Sequence, residues 1–497
     1  VPLYRALVQR DPTVLPWLAV EDGGVMFSGP TASALALARQ PNPKRSAAML
    51  ASAWKKTPIQ DPGAMATLSL LAGDALHAWE PAARAAMHAD RHGEFAAARQ
   101  WLLLLDTLPP HPKRPANLDF ELAFVQSRVA LRTDQATIRS TLVDVAESHA
   151  HTEEQHHRVR LLRAEFGLRM GEVRPPLVAA LRVGSSSSGA PPGVQVGALL
   201  VAIECRLLLG QIPEALRDLD RAEGIIKEHP DSLLQVRVTH ARAELAYRQH
   251  DLLWCRALCQ KNIRVASEHR YVRGVAFAAH RLGHVLRAMG RRREAEAQIR
   301  SAREAFMATG DPHPDAEAGL ALATLLVERG EPLAARHLLD ETIHRIRGLM
   351  LDHLLPRAMR VTLKVATLTG ETTDATLALP GLSLDGDDEA AAALVHWWRS
   401  RGDVDRALAV AGPADQHTYG HTLWRLERAR AALGGARDSL AAEEARAGLE
   451  AASTGSFAEL QIYAQLILGA VTDVDDEAWA ELLRRATTSM WTEVFLG

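Results

Sequence analysis

The stretch Ala278–Ala305, AAHRLGHVLRAMGRRREAEAQIRSAREA, decides how the rest of the chain is read. Apolar and small residues recur at helical spacing up to Gly290, give way to three arginines, and resume with Ala295, Ile299 and Ala302. Two amphipathic helices joined by a tight glycine turn produce that pattern. Forty residues further on stands AGLALATLLVERGEPLAARHLLDETIHR (318–345), with the same punctuation about Gly330. The turn positions Gly210, His250, Gly290, Gly330 and Gly370 are each 40 residues apart. A fixed period of this size marks stacked copies of one supersecondary unit.

The register holds on both sides of the turn. Five residues before it stand Cys205, Leu245, Val285, Leu325 and Val365; seven before, Ile203, Ala243, Gly283, Ala323 and Leu363; twelve before, Ala198, Val238, Ala278, Ala318 and Ala358. All are apolar or small, which gives each first helix a buried stripe. Five residues after the turn come Ala215, Cys255, Ala295, Ala335 and Ala375, and nine after, Leu219, Cys259, Ile299, Leu339 and Leu379. The second helix therefore has its own stripe, with a small residue where two helices approach closely. Weaker copies surround Gly93, residues 132–134, Gly171, Gly402 and Gly434-Gly435. The expectation is an all-α chain of about ten stacked helix pairs, the first near 31–60 and the last near 456–490.

Composition agrees. At 497 residues the chain exceeds what one compact core serves, and only 5% of it is aromatic, which disfavours a β-rich fold. Lys+Arg 57 against Asp+Glu 60 leaves a net charge of −3, too balanced to hold nucleic acid or an anionic membrane. No apolar run is long enough to span a bilayer. Three cysteines suit a reducing compartment, so a cytoplasmic location is expected. The chain opens Val1-Pro2 and shows no basic stretch followed by an apolar one, so no secretory signal is expected. Three parts are expected: a cap or remnant over 1–30, repeats over 31–380, and shorter repeats with a cap over 381–497. The Gly/Ser/Pro-rich segment 183–193 (VGSSSSGAPPG) reads as a flexible loop, and 377–388 as the mark of a shortened repeat that changes the curvature.

Leu282-Gly283, Gly290, Ala295, Ile299 and Ala302, with Leu322-Ala323, Gly330, Ala335, Leu339 and Thr342, resemble the tetratricopeptide-type repeat in a 40-residue form. The standard repeat of that family runs 34 residues. Ala202-Ile203 departs from its Leu-Gly pair, and several repeats lack its Tyr and terminal Pro. The resemblance implies a right-handed α-solenoid with a concave groove. Forty-residue versions are similar to the sensor arrays of maltose-regulator-type transcription activators and signalling ATPases.

No phosphate loop, zincin motif, nucleophile elbow or dinucleotide fingerprint occurs, so neither an enzyme nor a cofactor is expected. Cys255 and Cys259, four apart on one helix face, occupy offsets filled elsewhere by Ala and Leu or Ile and read as packed thiols. The histidine-rich stretch Ser148–His157 reads as a solvated inter-helix turn without metal-ligand spacing, and Arg291–Arg293 as a charge run paired with Glu294 and Glu296. Of Trp397-Trp398, adjacent on one helix, one ring is expected inside, leaving Trp398 as a partner anchor. The apolar C-terminal run Met490–Leu496 is expected to dock on the last repeat or on a neighbour.

The strongest functional signal lies six residues before each turn: Glu165, Glu204, Glu244, His284, Thr324, Lys364 and His396. In the resembling arrays this position faces the groove. The offset ten before adds His240, His280 and Arg360, and Arg357 lies beside them. A groove acidic in its first half and basic later follows. The expected function is a non-catalytic scaffold or adaptor that binds a segment of another protein there, alone or within a multiprotein complex. The alternative is a ligand-sensing regulatory array whose effector domain lies elsewhere.

Overall fold

The computed structural model describes residues 42–54, 61–109, 116–133, 136–249, 251–370, 389–413, 419–454, 458–472 and 476–488, with the strands Leu18–Glu21 and Gly24–Phe27. The array starts with the pairs α1 (Pro43–Trp54) and α2 (Pro62–Leu71), α3 (Ala75–Arg91) and α4 (Phe95–Thr107), α5 (Ala116–Thr133) and α6 (Ala136–Ser148), and α7 (Glu153–Arg169) and α8 (Arg174–Val183). The regular 40-residue region holds α9 (Pro192–Leu208) and α10 (Ile212–Glu228), α11 (Ser232–Arg248) and α12 (Leu252–Glu268), α13 (Val272–Ala288) and α14 (Arg292–Thr309), and α15 (Pro312–Glu328) and α16 (Pro332–Gly348). After α17 (Leu355–Thr369) come α18 (Ala390–Ser400) and α19 (Val404–Ala409), α20 (Tyr419–Gly434) and α21 (Asp438–Thr454), and α22 (Ala458–Val471) and α23 (Asp476–Thr488). Each helix packs on the next, and first helices of neighbouring pairs touch, so the architecture is a tetratricopeptide-like α-solenoid. The all-α expectation is amended at one place: the two strands form an antiparallel hairpin with Leu18 opposite Phe27. The curvature change read at 377–388 and the C-terminal run 490–496 lie outside the described residues.

The turns recur because their hydrogen bonds recur. At Gly290 (φ +75°) the Gly290 N–H donates to the Arg287 carbonyl at 2.9 Å and the Arg291 N–H to the Leu286 carbonyl at 2.8 Å. This is a Schellman cap, and its left-handed residue favours glycine. Gly330 repeats it, with Glu331 donating to Leu326 at 2.9 Å. Every described residue at the offsets −12, −7, −5, +5 and +9 from the regular turns is buried. Gly283 is small for a measurable reason: a Cβ there would lie 2.4 Å from Ile299 Cγ1, so α13 and α14 approach too closely for any other residue.

Two irregular segments differ from expectation. Segment 183–193 is pinned by its own hydrogen bonds instead of being a free loop. Ser188 Oγ donates to the Val183 carbonyl at 2.9 Å, Arg221 of α10 donates to the Gly184 carbonyl at 2.8 Å, and Ser186–Ser188 form a 3₁₀ turn. Half of the histidine-rich stretch is helix: Thr152 and Gln155 form a capping box that starts α7, and His157 is buried.

The spiral also meets itself. Helix α4 contacts α14 and α5 contacts α15, so the later turn stacks on the earlier one five pairs on. Asp311, with no exposed surface, accepts from Arg273 Nε and Nη2 at 3.0 and 2.8 Å, and Arg169 at the end of α7 lies 3.7 Å away. The Arg273 guanidinium also lies 5.4 Å from the centre of the Phe95 ring, and Arg91 reaches Asp231 at 3.1 Å. Gly310 (φ +73°) has the Ala96 backbone nitrogen 2.9 Å from where a Cβ would stand.

This contact predicts how the array opens. Asp311→Asn leaves Arg273 and Arg169 without their buried counter-charge, at a cost of about 3–5 kcal/mol; Gly310→Val wedges the two turns apart. Both variants are expected to keep their helical circular dichroism and to show a larger radius of gyration by small-angle X-ray scattering. An unchanged radius in both would show that the turns do not touch in solution.

Candidate functional site

The repeat that builds the core also builds a lumen. Because each first helix repeats the same register, the same helix face recurs from pair to pair. The stripe runs −17, −13, −10 and −6 from the turn, which is one face of an α-helix. The −13 offset carries Arg158, Gly197, Arg237, Phe277, Glu317 and Arg357, and from the regular turns the −17 offset carries Gly193, Leu233, Arg273, His313 and His353. Extending the sequence pattern by two more steps along the stripe finds these residues; reading only −6 and −10 misses all but Arg357.

The expected acidic half of the groove is corrected by what stands beside its carboxylates. Glu165 pairs with Arg132 of α5 at 3.4 Å. Burial alone would raise the Glu165 carboxyl, but Arg132, Arg128 and Arg237 overcome it and hold it below the usual range. Glu244 is bound by Arg281 of α13 and by Arg248 at 3.2 Å, and against burial these hold its carboxyl down as well. The first half of the lumen is therefore a lattice of carboxylates and arginines from neighbouring first helices. Sequence offsets on one helix do not reveal such pairs.

Glu204 is the exception. It lies on α9 between Glu165 and Glu244, its side chain is exposed, and among the described residues it makes no ion pair or hydrogen bond. Desolvation by the protein around it, with Glu317 nearby, raises the Glu204 carboxyl against the pull of Arg169. Glu317 is raised by burial too, against the pull of Arg357 and Arg169. His313 Nδ1 lies 3.8 Å from it, on an imidazole that burial pushes well below the ordinary histidine value.

The histidines form a neutral layer. His280 and His284 bring their Nε2 atoms within 3.3 Å, so one proton serves both. Burial, with Arg281 and Arg357 nearby, pushes both far below the ordinary histidine value. His240 packs on the Phe277 ring at 5.4 Å, and burial with Arg281 lowers it to about 4. Its Nδ1 is buried without a partner.

At the far end the expected basic cluster is partly spoken for. Arg360 pairs with Glu389, which also sits near Lys364; burial lowers the Lys364 ammonium while Glu389 raises it, and burial wins. Arg357 is half-buried and faces Glu317. His396 lies 3.2 Å from Glu427, which also accepts from the Tyr463 hydroxyl at 2.8 Å, so it belongs to a structural network in the C-terminal repeats. Trp397 is buried as expected, but Trp398 is only half-buried, packed edge-on against Trp397 at 4.5 Å and covered by the Arg406 guanidinium at 4.6 Å. Its surface is occupied from within the chain, which corrects its reading as a partner anchor.

Among the described residues no group of three or more metal-ligating side chains is assembled, and no helix is long and apolar enough to cross a membrane. Cys205, Cys255 and Cys259 are all buried, and Cys255 Sγ donates to the Ala243 carbonyl at 3.1 Å.

The sequence matches no family model and no curated protein. Solved structures similar to it include a Rap protein complexed with competence and sporulation factor, at 13% identity over 78% of this chain and 98% of that one, TM-score 0.48. Another is a signal transduction ATPase with a tetratricopeptide repeat sensor from Pyrococcus horikoshii, at 9% identity over 94% and 71%, TM-score 0.41. A third is the human IFIT1 dimer with PPP-AAAA, at 12% over 84% and 97%, TM-score 0.44. At these scores the likenesses carry no argument about what the chain binds.

The lattice separates residues that build the lumen from one that is free to act in it. Glu165→Gln and Glu244→Gln are expected to lower stability by about 3 kcal/mol each, because Arg132 and Arg281 lose their buried partners. Glu204→Gln is expected to leave the melting temperature near wild type. Calorimetry of the three checks this order; equal losses would refute the distinction.

Acid acts on the histidines in a defined direction. Their folded values lie below the unfolded value of about 6.5, so the unfolded chain binds more protons and stability falls as pH drops below it. Each histidine contributes at most about 1.4 kcal/mol per pH unit, and Asp311, held below the usual carboxylate range, adds its loss only below about pH 4. His280→Asn is expected to flatten the decline of the melting temperature between pH 6.5 and 5. An unchanged slope would mean these histidines are already protonated in the fold.

Proposed function

We propose that this chain is a non-catalytic recognition array that takes an extended peptide segment of another protein into the lumen of its spiral. The carrying observation is Glu204: a water-exposed carboxylate without a partner among the described residues, in a wall where Glu165 and Glu244 on either side are satisfied internally. A carboxylate kept unpaired among arginines costs self-energy, and a cationic side chain on a ligand recovers it. The helical lining presents side chains and no free backbone hydrogen bonds, so recognition runs through ionic and histidine contacts along the axis.

A second reading, in which the array senses a ligand and signals to an effector elsewhere, is supported by the contact between turns at Asp311. A ligand lying across two turns alters how they stack, and a change of pitch is a signal that a distant domain can read.

A photoreactive amino acid placed at Leu200, half-buried on the lumen stripe, tests the proposal against one at Leu253, which is 66% exposed on a second helix. In lysate of the source cell, a peptide segment is expected to cross-link from position 200 and not from 253. Glu204→Lys is expected to reduce that capture at least tenfold, and capture is expected to weaken with salt. Equal capture at both positions, or no effect of Glu204→Lys, would overturn the lumen as the binding site.

A further inference from the structure

Two histidines meet where the later turn of the spiral lies on the earlier one. His313, in the first turn of α15, and His353, in the 3₁₀ turn Asp352–Leu354 ahead of α17, hold the same offset in successive repeats, 40 residues apart. Their Nε2 atoms lie 2.9 Å apart, their ring planes are inclined by 22° and their ring centres stand 5.1 Å apart. Centres that far apart with nitrogens that close require the rings to meet end to end, the geometry of an N–H···N hydrogen bond. One nitrogen then carries the proton and the other the lone pair. His313 turns its Nδ1 toward the Glu317 carboxylate at 3.8 Å, which favours a proton on that nitrogen, leaves its Nε2 to accept and makes His353 the donor.

The pair stands beside the counter-charge of the contact between turns. Asp311, two residues before His313, is a buried carboxylate that faces Arg132 of α5, Arg169 of α7 and Arg273 of α13. His313 faces Arg169 and Arg132 as well as Asp311, and His353 faces Arg169 and Asp352. Leu131, Arg132 and Arg169 from the earlier turn and Pro312, His313 and Leu351 from the later one line a single crevice with no space in it for a water molecule. A charge formed on His313 is therefore not hydrated from that side. It adds a fourth cation to three guanidiniums that already face one buried carboxylate.

We propose that the His313–His353 pair is an acid latch on the contact between turns, closed while the two rings share a proton and opened when both are protonated. The first added proton leaves an imidazolium donating to an imidazole, so the bridge survives. The second puts an N–H on each facing nitrogen, and the bridge has no acceptor left. His353 is exposed and swings into water, whereas His313, fixed in the first turn of α15, keeps its charge toward Arg169. The end of α7 is then repelled from α15, and the later turn lifts from the earlier. Burial, with Arg169 next, holds both imidazoles below the ordinary histidine value, and Asp311 and Asp352 pull the other way without offsetting them. The opened array therefore binds more protons than the closed one. Opening gains as pH falls below about 6.5, by at most about tenfold per proton for each pH unit. The inference stands on the contact between turns and goes beyond the peptide reading of the lumen.

The test measures the distance across that contact in the full chain. Nitroxide labels at Gln100→Cys on α4 and Met307→Cys on α14, both exposed on helices that touch between turns, report it by pulsed electron resonance, the three native cysteines being buried. As pH is lowered from 7.5 to 5, the labelled chain with native histidines is expected to populate a longer distance. Its open-to-closed ratio is expected to rise at least tenfold with helical circular dichroism unchanged. The double variant His313→Gln/His353→Gln, whose amides keep a donor facing an acceptor and do not titrate, is expected to hold the short distance throughout. His353→Gln alone, at an exposed position, is expected to cut the slope of that ratio from nearly two protons to one, and His280→Gln to leave it unchanged. A distance that does not move with pH, a movement that persists in the double variant, or one that comes only with loss of helical signal would each overturn the latch. None of these outcomes depends on whether the lumen binds a peptide.

Discussion

Everything in this structure depends on a constraint of length: five consecutive turns spaced by an unvarying 40 residues. A helix pair of fixed length that repeats its caps must also repeat its orientation, so each copy meets the next at the same angle. Side chains at one offset then share one fate along the array. Offsets −12, −7 and −5 are packed between helices, while −17, −13, −10 and −6 make a second, more polar stripe. Gly283, with Ile299 pressed against it, shows how little room the constraint leaves. Core and lumen are two readings of a single periodicity.

Electrostatics in the lumen then follows from stacking. A carboxylate on one first helix stands beside the neighbouring first helix, and Arg132 and Arg281 reach across to Glu165 and Glu244 from opposite directions along the array. Buried pairs of this kind contribute little net stability, since desolvation cancels most of the attraction. What they supply is position: the helices cannot slide past one another without stranding a charge. The neutral histidine pair at His280 and His284 fits this balance, because further cations beside Arg281 and Arg357 would be repelled.

The fold was legible in the sequence because its determinants are local and repeated. Cys205, Leu245, Val285, Leu325 and Val365 announce a buried stripe through spacing alone, and all five are buried. The site was legible in position and less so in state. Glu204 and Glu244 occupy the same offset, and only three-dimensional packing tells the free carboxylate from the bound one. Trp398 looked available because one of two adjacent rings must leave the core, yet Arg406 from the following helix covers it. The Ser-rich segment read as loose because its composition suits loops, whereas Arg221 from a later helix ties it down. Each of these departures comes from a partner distant in the chain, which composition and spacing do not encode.

The stacking of one turn on another has a consequence for how such a chain changes over generations. An open solenoid gains or loses a repeat at little cost, because each copy touches only its neighbours. Here a duplicated or deleted copy between α5 and α13 would shift the phase of the spiral. Asp311 would then face a different rung from the one that carries Arg169, and Gly310 would no longer lie under Ala96. The number of repeats is thereby under selection as a whole number. Variation is steered away from copy count and into the side chains at the lumen offsets, where a substitution changes what is recognised without changing how the turns meet.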